Sequence, residues 1–348
     1  MNDIFNGLSS NSFKKNAWLI LTVAVGAFIL LLPTFYNGYP LLTPDSTQYI
    51  GCGMEHYMNK FRPITYSIFI RYTSFNSSLW YTAFIQAVLL AFLLIKTVQI
   101  ISKKTTPGKF FLVLFSLIAF TSVGWNVGQI TPDIFMAIGF LSLFILLFQK
   151  RRRWFETIFL SLLIILSILV HKSHHLVLIL ISSLILILKL LNTNYYLVSH
   201  QHKTTILGVF ILIQSGWILY PAMNYYWSGC FNNAPFSSEA FLMARMAENG
   251  MLVRVLDEIC DENNDYALCQ YRDSLFLHHQ FFLWNQQSPY NKTGGIGNRE
   301  ENKEIILKSL STPKLLFHHV IEGVKGTFEQ ITYFKTGWLL WNQFGNKS

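Results

Sequence analysis

Leu79-Trp-Tyr-Thr-Ala-Phe-Ile-Gln-Ala-Val-Leu-Leu-Ala-Phe-Leu-Leu-Ile-Lys-Thr-Val-Gln-Ile-Ile101 carries one charged side chain, Lys96. Wound as an α-helix, such a stretch covers about 35 Å at 1.5 Å per residue, enough to cross a hydrocarbon core of about 30 Å. Comparable apolar stretches lie on both sides of it. Together they occupy about 17–36, 79–101, 110–126, 132–148, 155–171, 175–191 and 204–222. The expectation is a mainly α, polytopic membrane protein with about seven transmembrane helices. The fifth and sixth stretches, parted only by His171-Lys-Ser-His-His175, could instead form one re-entrant hairpin.

Composition supports this class. Of 348 residues, 52% are hydrophobic and 13% charged, with a mean hydropathy of +0.35. A soluble domain carries about 25% charged residues. Disorder, a coiled coil and a disulfide miniprotein are excluded. The net charge of +9 would suggest nucleic acid in a soluble chain, but its distribution suggests a membrane. Five acids, Asp3, Asp45, Glu55, Asp133 and Glu156, fall in the first 230 residues, and the other 13 lie between Glu239 and Glu329. The sequence therefore divides into a membrane module, 1–222, and a mainly helical, water-facing domain, 223–348. A cleavable signal peptide is not expected, because the first apolar run starts only at Ala17 and no small-residue cleavage site follows.

Short-loop cations set the orientation. Lys14, Lys15, Lys103, Lys104, Lys109, Lys150 to Arg153 and Lys203 share one side, opposed by Lys60, Arg62, Arg71 and Lys172. The first group predicts a cytoplasmic N-terminus, and the second domain is then exported. A bacterial inner membrane, with that domain periplasmic, is the expected location. An endoplasmic reticulum protein would show the same pattern, with Asn76 and Asn291 in glycosylation sequons. Cys52, Cys230, Cys260 and Cys269 all fall on the exported side, where disulfides form. Cys260 with Cys269, and Cys52 with Cys230, are the expected pairs; four buried thiols are the alternative.

The expected first outer loop, 37–78, holds Thr43-Pro44-Asp45-Ser46-Thr47-Gln48-Tyr49 and then Phe61-Arg62-Pro63-Ile64-Thr65-Tyr66. Pro44 suits the first turn of a helix, with Thr43 as its cap. A second short helix is expected to start at Pro63. The Thr-Pro-Asp turn recurs as Thr131-Pro132-Asp133 at the mouth of the fourth span. Asp45 and Asp133 are thus candidates for a general base, and equally for helix-opening carboxylates. In His171-Lys172-Ser173-His174-His175, Lys172 and the histidines could bind a lipid phosphate. The same residues could form a polar turn, or His171 and His175 could hold a metal at i, i+4 spacing. There is no P-loop, dinucleotide fingerprint, HExxH or GxSxG, which argues against ATP-driven transport and soluble nucleotide donors. Gly294-Gly295-Ile296-Gly297 reads as a flexible loop.

Thr43-Pro44-Asp45-Ser46 with Tyr49, followed by Arg62-Pro63 and Tyr66, resembles the GT-C superfamily of integral-membrane glycosyltransferases. That superfamily includes the protein O-mannosyltransferases and aminoarabinose transferases. The likeness covers roughly 15–225 in architecture and 43–66 in motif. It implies transfer of a sugar from a polyprenyl-phosphate carrier to a lipid, glycan or protein acceptor on the exported side. By this resemblance Asp45 would be the catalytic base of an inverting transfer, and Arg62 and Lys172 would face the leaving phosphate. Asp133 would hold the acceptor, act as a second carboxylate or help bind a divalent metal. His171, His174, His175, Tyr49 and Tyr66 would complete the substrate site. No further cofactor and no nucleic-acid partner are implied, and the oligomeric state is not readable. Many members carry two adjacent acids in the first loop, whereas here Ser46 follows Asp45.

Two other functions compete. A non-catalytic protein of this architecture could bind or assemble lipid-linked glycans. A transporter or flippase would need polar groups inside its spans, where Gln86, Lys96, Gln99 and Gln214 are nearly all there is. In the second domain, 240–248 and 251–257 have helical spacing. Tyr266, Tyr271 and Trp284 could stack on sugars or pack a core. The segment 315–344, with Phe317, Phe328, Tyr333, Trp338 and Trp341, suggests a helix in the membrane interface.

Overall fold

The computed structural model of the protein describes residues 10–55, 57, 62–102, 106–149, 152–191, 203–228, 238–260, 266–275 and 277–331. Two compact units are present, 1–235 and 236–348. Among the described residues the secondary structure is helical, with one isolated parallel bridge between Leu41 and Gln129.

The first unit opens with α1 (Ser10–Leu30) and α2 (Leu32–Asn37), followed by α3 (Pro44–Glu55) and α4 (Ile64–Ser74). Then come α5 (Leu79–Ser102), α6 (Pro107–Phe120), α7 (Val123–Gly128), α8 (Ile134–Phe148) and α9 (Trp154–Val170). It closes with α10 (Lys172–Leu190), α11 (Lys203–Gln214) and α12 (Gly216–Ser228). Three helices are long and apolar enough to cross a membrane: α5, α10 and the Lys203–Trp227 run that joins α11 to α12. Ala17–Leu30 of α1, with α6, α8 and α9, are shorter apolar helices.

Local chemistry explains why the remaining runs are shorter than the sequence suggests. The run from 17 to 36 breaks at Leu31, ahead of Pro33 in the first turn of α2. The run from 110 to 126 breaks at Thr121, whose extended backbone ends α6 and whose hydroxyl bonds Leu117 O. Polar side chains here offer the backbone a partner outside the helix ladder. Between α9 and α10, His171 is extended and its Nδ1 accepts the Ser173 N–H, so the two helices are separate.

One core joins these helices, with α8 packed on α9, α1 on α5, α5 on α8 and α10 on α11. Close approach needs small residues: a Cβ on Gly139 would stand 2.4 Å from Ser167 Oγ, which itself donates to Phe135 O at 2.5 Å. Lys96 on α5 donates to Glu156 on α9 at 2.7 Å, and Gln149 Nε2 reaches both Glu156 oxygens at 3.3 Å. Arg152 donates to the carbonyls of Ile145, Leu146 and Gln149, closing the C-terminal end of α8. Such capping satisfies carbonyls that have no intrahelical partner.

The second unit contains α13 (Ser238–Glu248), α14 (Met251–Ile259), α15 (His279–Trp284), α16 (Pro289–Lys292), α17 (Arg299–Ser311) and α18 (Pro313–Ile331). Its own core is built on Met243, Met246, Leu252, Val255, Phe282 and Tyr290. A disulfide joins Cys260 to Cys269. Cys52 is buried in α3, and its expected partner Cys230 lies outside the described residues. Gly294 to Gly297 forms a tight 3₁₀ turn. Gly294 and Gly295 take positive φ of 98° and 55°, and the Asn302 amide donates to the Gly295 carbonyl at 2.9 Å. The Asn291 amide donates to the carbonyls of Leu283 and Asn285, so its hydrogens are committed within the fold. Along α18, Phe317, Val320, Val324 and Phe328 form an exposed apolar stripe. Tyr333, Trp338 and Trp341 of the expected interfacial segment lie outside the described residues.

Candidate functional site

Helix α3 begins where the sequence places it. Ser46 Oγ accepts the Thr43 N–H at 2.9 Å, the Ser46 N–H returns to Thr43 O at 2.9 Å, and Pro44 fills the first turn. This reciprocal closure resembles a capping box with serine in the third position. It leaves Asp45 pointing away from the cap, and the carboxylate meets Arg62 at 2.5 Å. Asp45 is 47% exposed and Arg62 17% exposed, so the pair sits at the rim of the unit with its cation turned inward.

One turn along α3, Tyr49 lies under the Arg62 guanidinium, 5.9 Å from its ring centroid. Tyr49 packs edge-on against Tyr66 of α4 at 5.1 Å. Tyr66 donates to Gln86 Oε1 at 2.7 Å, and Gln86 Nε2 donates to the carbonyls of Val127 and Gln129 at 2.9 and 3.1 Å. Both residues are fully buried. Burial pushes the Tyr49 hydroxyl above the usual phenol range, although the Arg62 guanidinium acts in the opposite sense. Tyr66 is raised too, chiefly by burial and further by Tyr49 and Asp133. Both remain neutral hydroxyls at physiological pH.

Asp133 opens α8, exposed and without a side-chain capping bond. It acts electrostatically on Tyr49, Tyr66 and His171. Asp45, Arg62 and Asp133 all act on His171, whose imidazole is held below its ordinary range mainly by burial. Asp45, Asp133, Arg62, Tyr49, Tyr66 and His171 therefore form one polar cluster, drawn from α3, α4, the start of α8 and the α9–α10 junction.

His174 adjoins this cluster, its ring centroid 5.1 Å from that of His171, whereas His175 packs against Trp217 at 5.0 Å. Both are buried, and their rings bond backbone carbonyls: Ser167 O to His174 Nδ1 at 3.0 Å, and Ile213 O to His175 Nε2 at 2.9 Å. The second bond meets a carbonyl at the end of α11, and Gly216 leaves room for the ring, since a Cβ there would stand 2.6 Å from His175 Nε2. These two histidines join helices. Lys172 acts on His175. The pairing of His171 with His175 as metal ligands is not observed, because His171 is extended and bound to Ser173. Among the described residues, the grouping of side chains close enough to share a metal is Glu248 with His278 and His279.

Sequence reasoning missed two members of the cluster. Gln86, a lone polar residue in a span by sequence, ties Tyr66 to the Val127–Gln129 backbone that leads into the second Thr-Pro-Asp turn. Tyr220 on α12 is 4% exposed, with a buried hydroxyl that feels the Tyr49 hydroxyl. Nothing in its local sequence signals that approach, which is purely tertiary. Compared with known protein families, with characterised proteins and with solved structures, the chain matches none.

Proposed function

We propose that this chain is an integral-membrane glycosyltransferase of GT-C-like architecture. It would transfer a sugar from a polyprenyl-phosphate carrier to a lipid, glycan or protein acceptor. In this reading α1, α5, α6, α8, α9, α10 and the α11–α12 run are its seven spans. The end carrying Asp45 faces the exported side of a bacterial inner membrane, with the second unit on that side. The observation that carries the reading is the Asp45–Arg62 pair over Tyr49, with Asp133 at the same end of the unit.

The chemistry follows from these groups. The acceptor hydroxyl attacks the anomeric carbon from the face opposite the phosphate, and the carbon–oxygen bond to phosphate breaks. That bond pair leaves with the phosphate, and Asp45 takes the acceptor proton. Arg62 faces the charge that grows on the leaving group. Without donor, Arg62 pairs with Asp45; a bound phosphate competes for the guanidinium and releases the carboxylate to act as base. Asp133 holds the acceptor. Neutral His171 and Tyr49 supply hydrogen bonds without adding charge.

One observation favours a second reading. Ser46, where many GT-C members carry a second acid, is fully buried and committed to Thr43. A non-catalytic protein that binds or assembles lipid-linked glycans would keep such an arrangement. Transport is less well supported, since Lys96 and Gln86 are tied to protein partners.

Mass spectrometry of surface glycans and lipid-linked sugars separates these readings. It compares a deletion strain, the deletion carrying the wild-type chain, and the deletion carrying Asp45→Asn at matched expression. Loss of a general base costs about 10²–10⁴-fold in rate, so Asp45→Asn should reproduce the deletion's missing sugar. Full restoration by Asp45→Asn would remove the catalytic assignment and leave the binding reading.

A further inference from the structure

The second unit holds a cluster that the proposed transfer does not use. α13 ends at Glu248, and the chain reverses through Asn249 and Gly250, whose φ of 72° is a conformation glycine adopts without strain. His278 then caps α15, and His279 is its first residue. This packing of α13 on α15 sets Glu248 Oε1 2.8 Å from His279 Nδ1 and 3.6 Å from His278 Nε2. The two rings lie 4.3 Å apart, tilted by 35°. Arg245 bonds the other Glu248 oxygen.

We propose that Glu248, His278 and His279 form a binding site for a zinc-class divalent metal ion, with Glu248 Oε1, one nitrogen from each histidine and a water as ligands. The donor atoms all lie within 4.8 Å of one another. Around a tetrahedral ion with bonds of about 2.0–2.1 Å, ligand atoms stand about 3.3 Å apart. The Glu248 Oε1 separations of 2.8 and 3.6 Å straddle that value. Two imidazoles and one carboxylate suit zinc and its transition-metal neighbours, whereas magnesium and calcium select oxygen. The cluster is partly buried, which limits competition from water while leaving a path for an ion. The C-terminal end of α13 adds the negative end of its dipole.

Two features weaken binding without preventing it. Ligation through His278 Nε2 moves the ring proton to Nδ1 and gives up a long 3.4 Å contact from the Gln280 N–H. Arg245 adds a positive charge, but by taking Oε2 it fixes Glu248 as a one-oxygen ligand. The ion would replace the Glu248–His279 hydrogen bond as the tie between α13 and α15. This site is independent of the glycosyltransferase reading.

The test uses the untagged full chain in detergent, stripped with EDTA and titrated with Zn²⁺, with bound metal counted after desalting. The expected result is one zinc ion per chain and a higher melting temperature. Loss of a ligand should weaken affinity by roughly tenfold or more, since even outer partners cost 10–100-fold. His278→Ala/His279→Ala and Glu248→Gln should therefore lose both effects, while Co²⁺ in the wild type should give the visible absorption of a four-coordinate site. Metal-free melting temperatures of the variants check that each still folds. Zinc uptake that is absent in the wild type, or unchanged in folded variants, overturns the proposal.

Discussion

Leu41 and Gln129 align in a parallel bridge: the Leu41 N–H donates to Gly128 O at 3.0 Å, and Leu41 O accepts the Ile130 N–H at 2.9 Å. The bridge sets an offset of 88 residues (129 minus 41), the same offset that separates Thr43 from Thr131 and Asp45 from Asp133 in sequence. The segments leading into the two Thr-Pro-Asp turns are thus joined by backbone hydrogen bonds, and Gln86 braces the second through the carbonyls of Val127 and Gln129.

Gly128→Ala should disturb that register. The new Cβ would meet Thr34 Oγ1 at 1.6 Å and Cγ2 at 3.0 Å. Overpacking of this kind costs about 1–3 kcal/mol. Gly208→Ala, inside α11 with nothing within 4 Å, should instead stabilise by roughly 0.5–1 kcal/mol, the usual helix preference for alanine. Tryptophan-fluorescence melts in detergent should move in opposite directions for the two variants. A shift in the same direction would contradict the close contact at Gly128.

Lys96 and Glu156 make a second test. Their side chains are 18% and 12% exposed, so breaking the pair leaves a charge in a poor environment. Removing one partner of a buried pair costs roughly 3–5 kcal/mol, and the residual exposure brings the expectation to the lower end. Lys96→Met alone should lower the melting temperature strongly, and Lys96→Met/Glu156→Leu should recover most of the loss. If the double variant is no better than the single, the pair is not the source of the cost.

His171 should make stability pH-dependent. Burial holds its folded-state affinity for a proton below that of an ordinary histidine, with Asp133 opposing, Arg62 adding and Asp45 opposing. The unfolded chain binds a proton near pH 6.5, and the folded chain does so only at lower pH. Stability is therefore intact above about pH 6.5 and falls as pH drops toward the folded value. Melting temperatures of His171→Asn should decline less between pH 7 and pH 5 than those of the wild type. Equal declines would assign the acid sensitivity to other groups.

Apolar run length located the helices of the first unit, because a span must satisfy its own backbone. It failed at Leu31 and Thr121, where a backbone dihedral or a hydroxyl breaks a helix inside an apolar run. The helix start at Pro44 was legible because capping is local. The Arg62–Asp45 contact was not, since it is a tertiary side-chain pairing between the start of α3 and the residues before α4, and Asp133 follows a segment bridged to Leu41 across 88 residues. His174 and His175 look like Lys172 and His171 in sequence; only packing against Ser167 and Ile213 reveals them as ties between helices. Glu248 lies about thirty residues before His278, and no spacing rule joins them.

The bond between Cys260 and Cys269 makes that part of the second unit a closed covalent ring. A protease that cuts the backbone anywhere between these two residues leaves a nicked chain that still migrates as one molecule. Its two fragments, of about 30 and 10 kDa at roughly 115 Da per residue from the 40.2 kDa total, separate only when a thiol reductant is added.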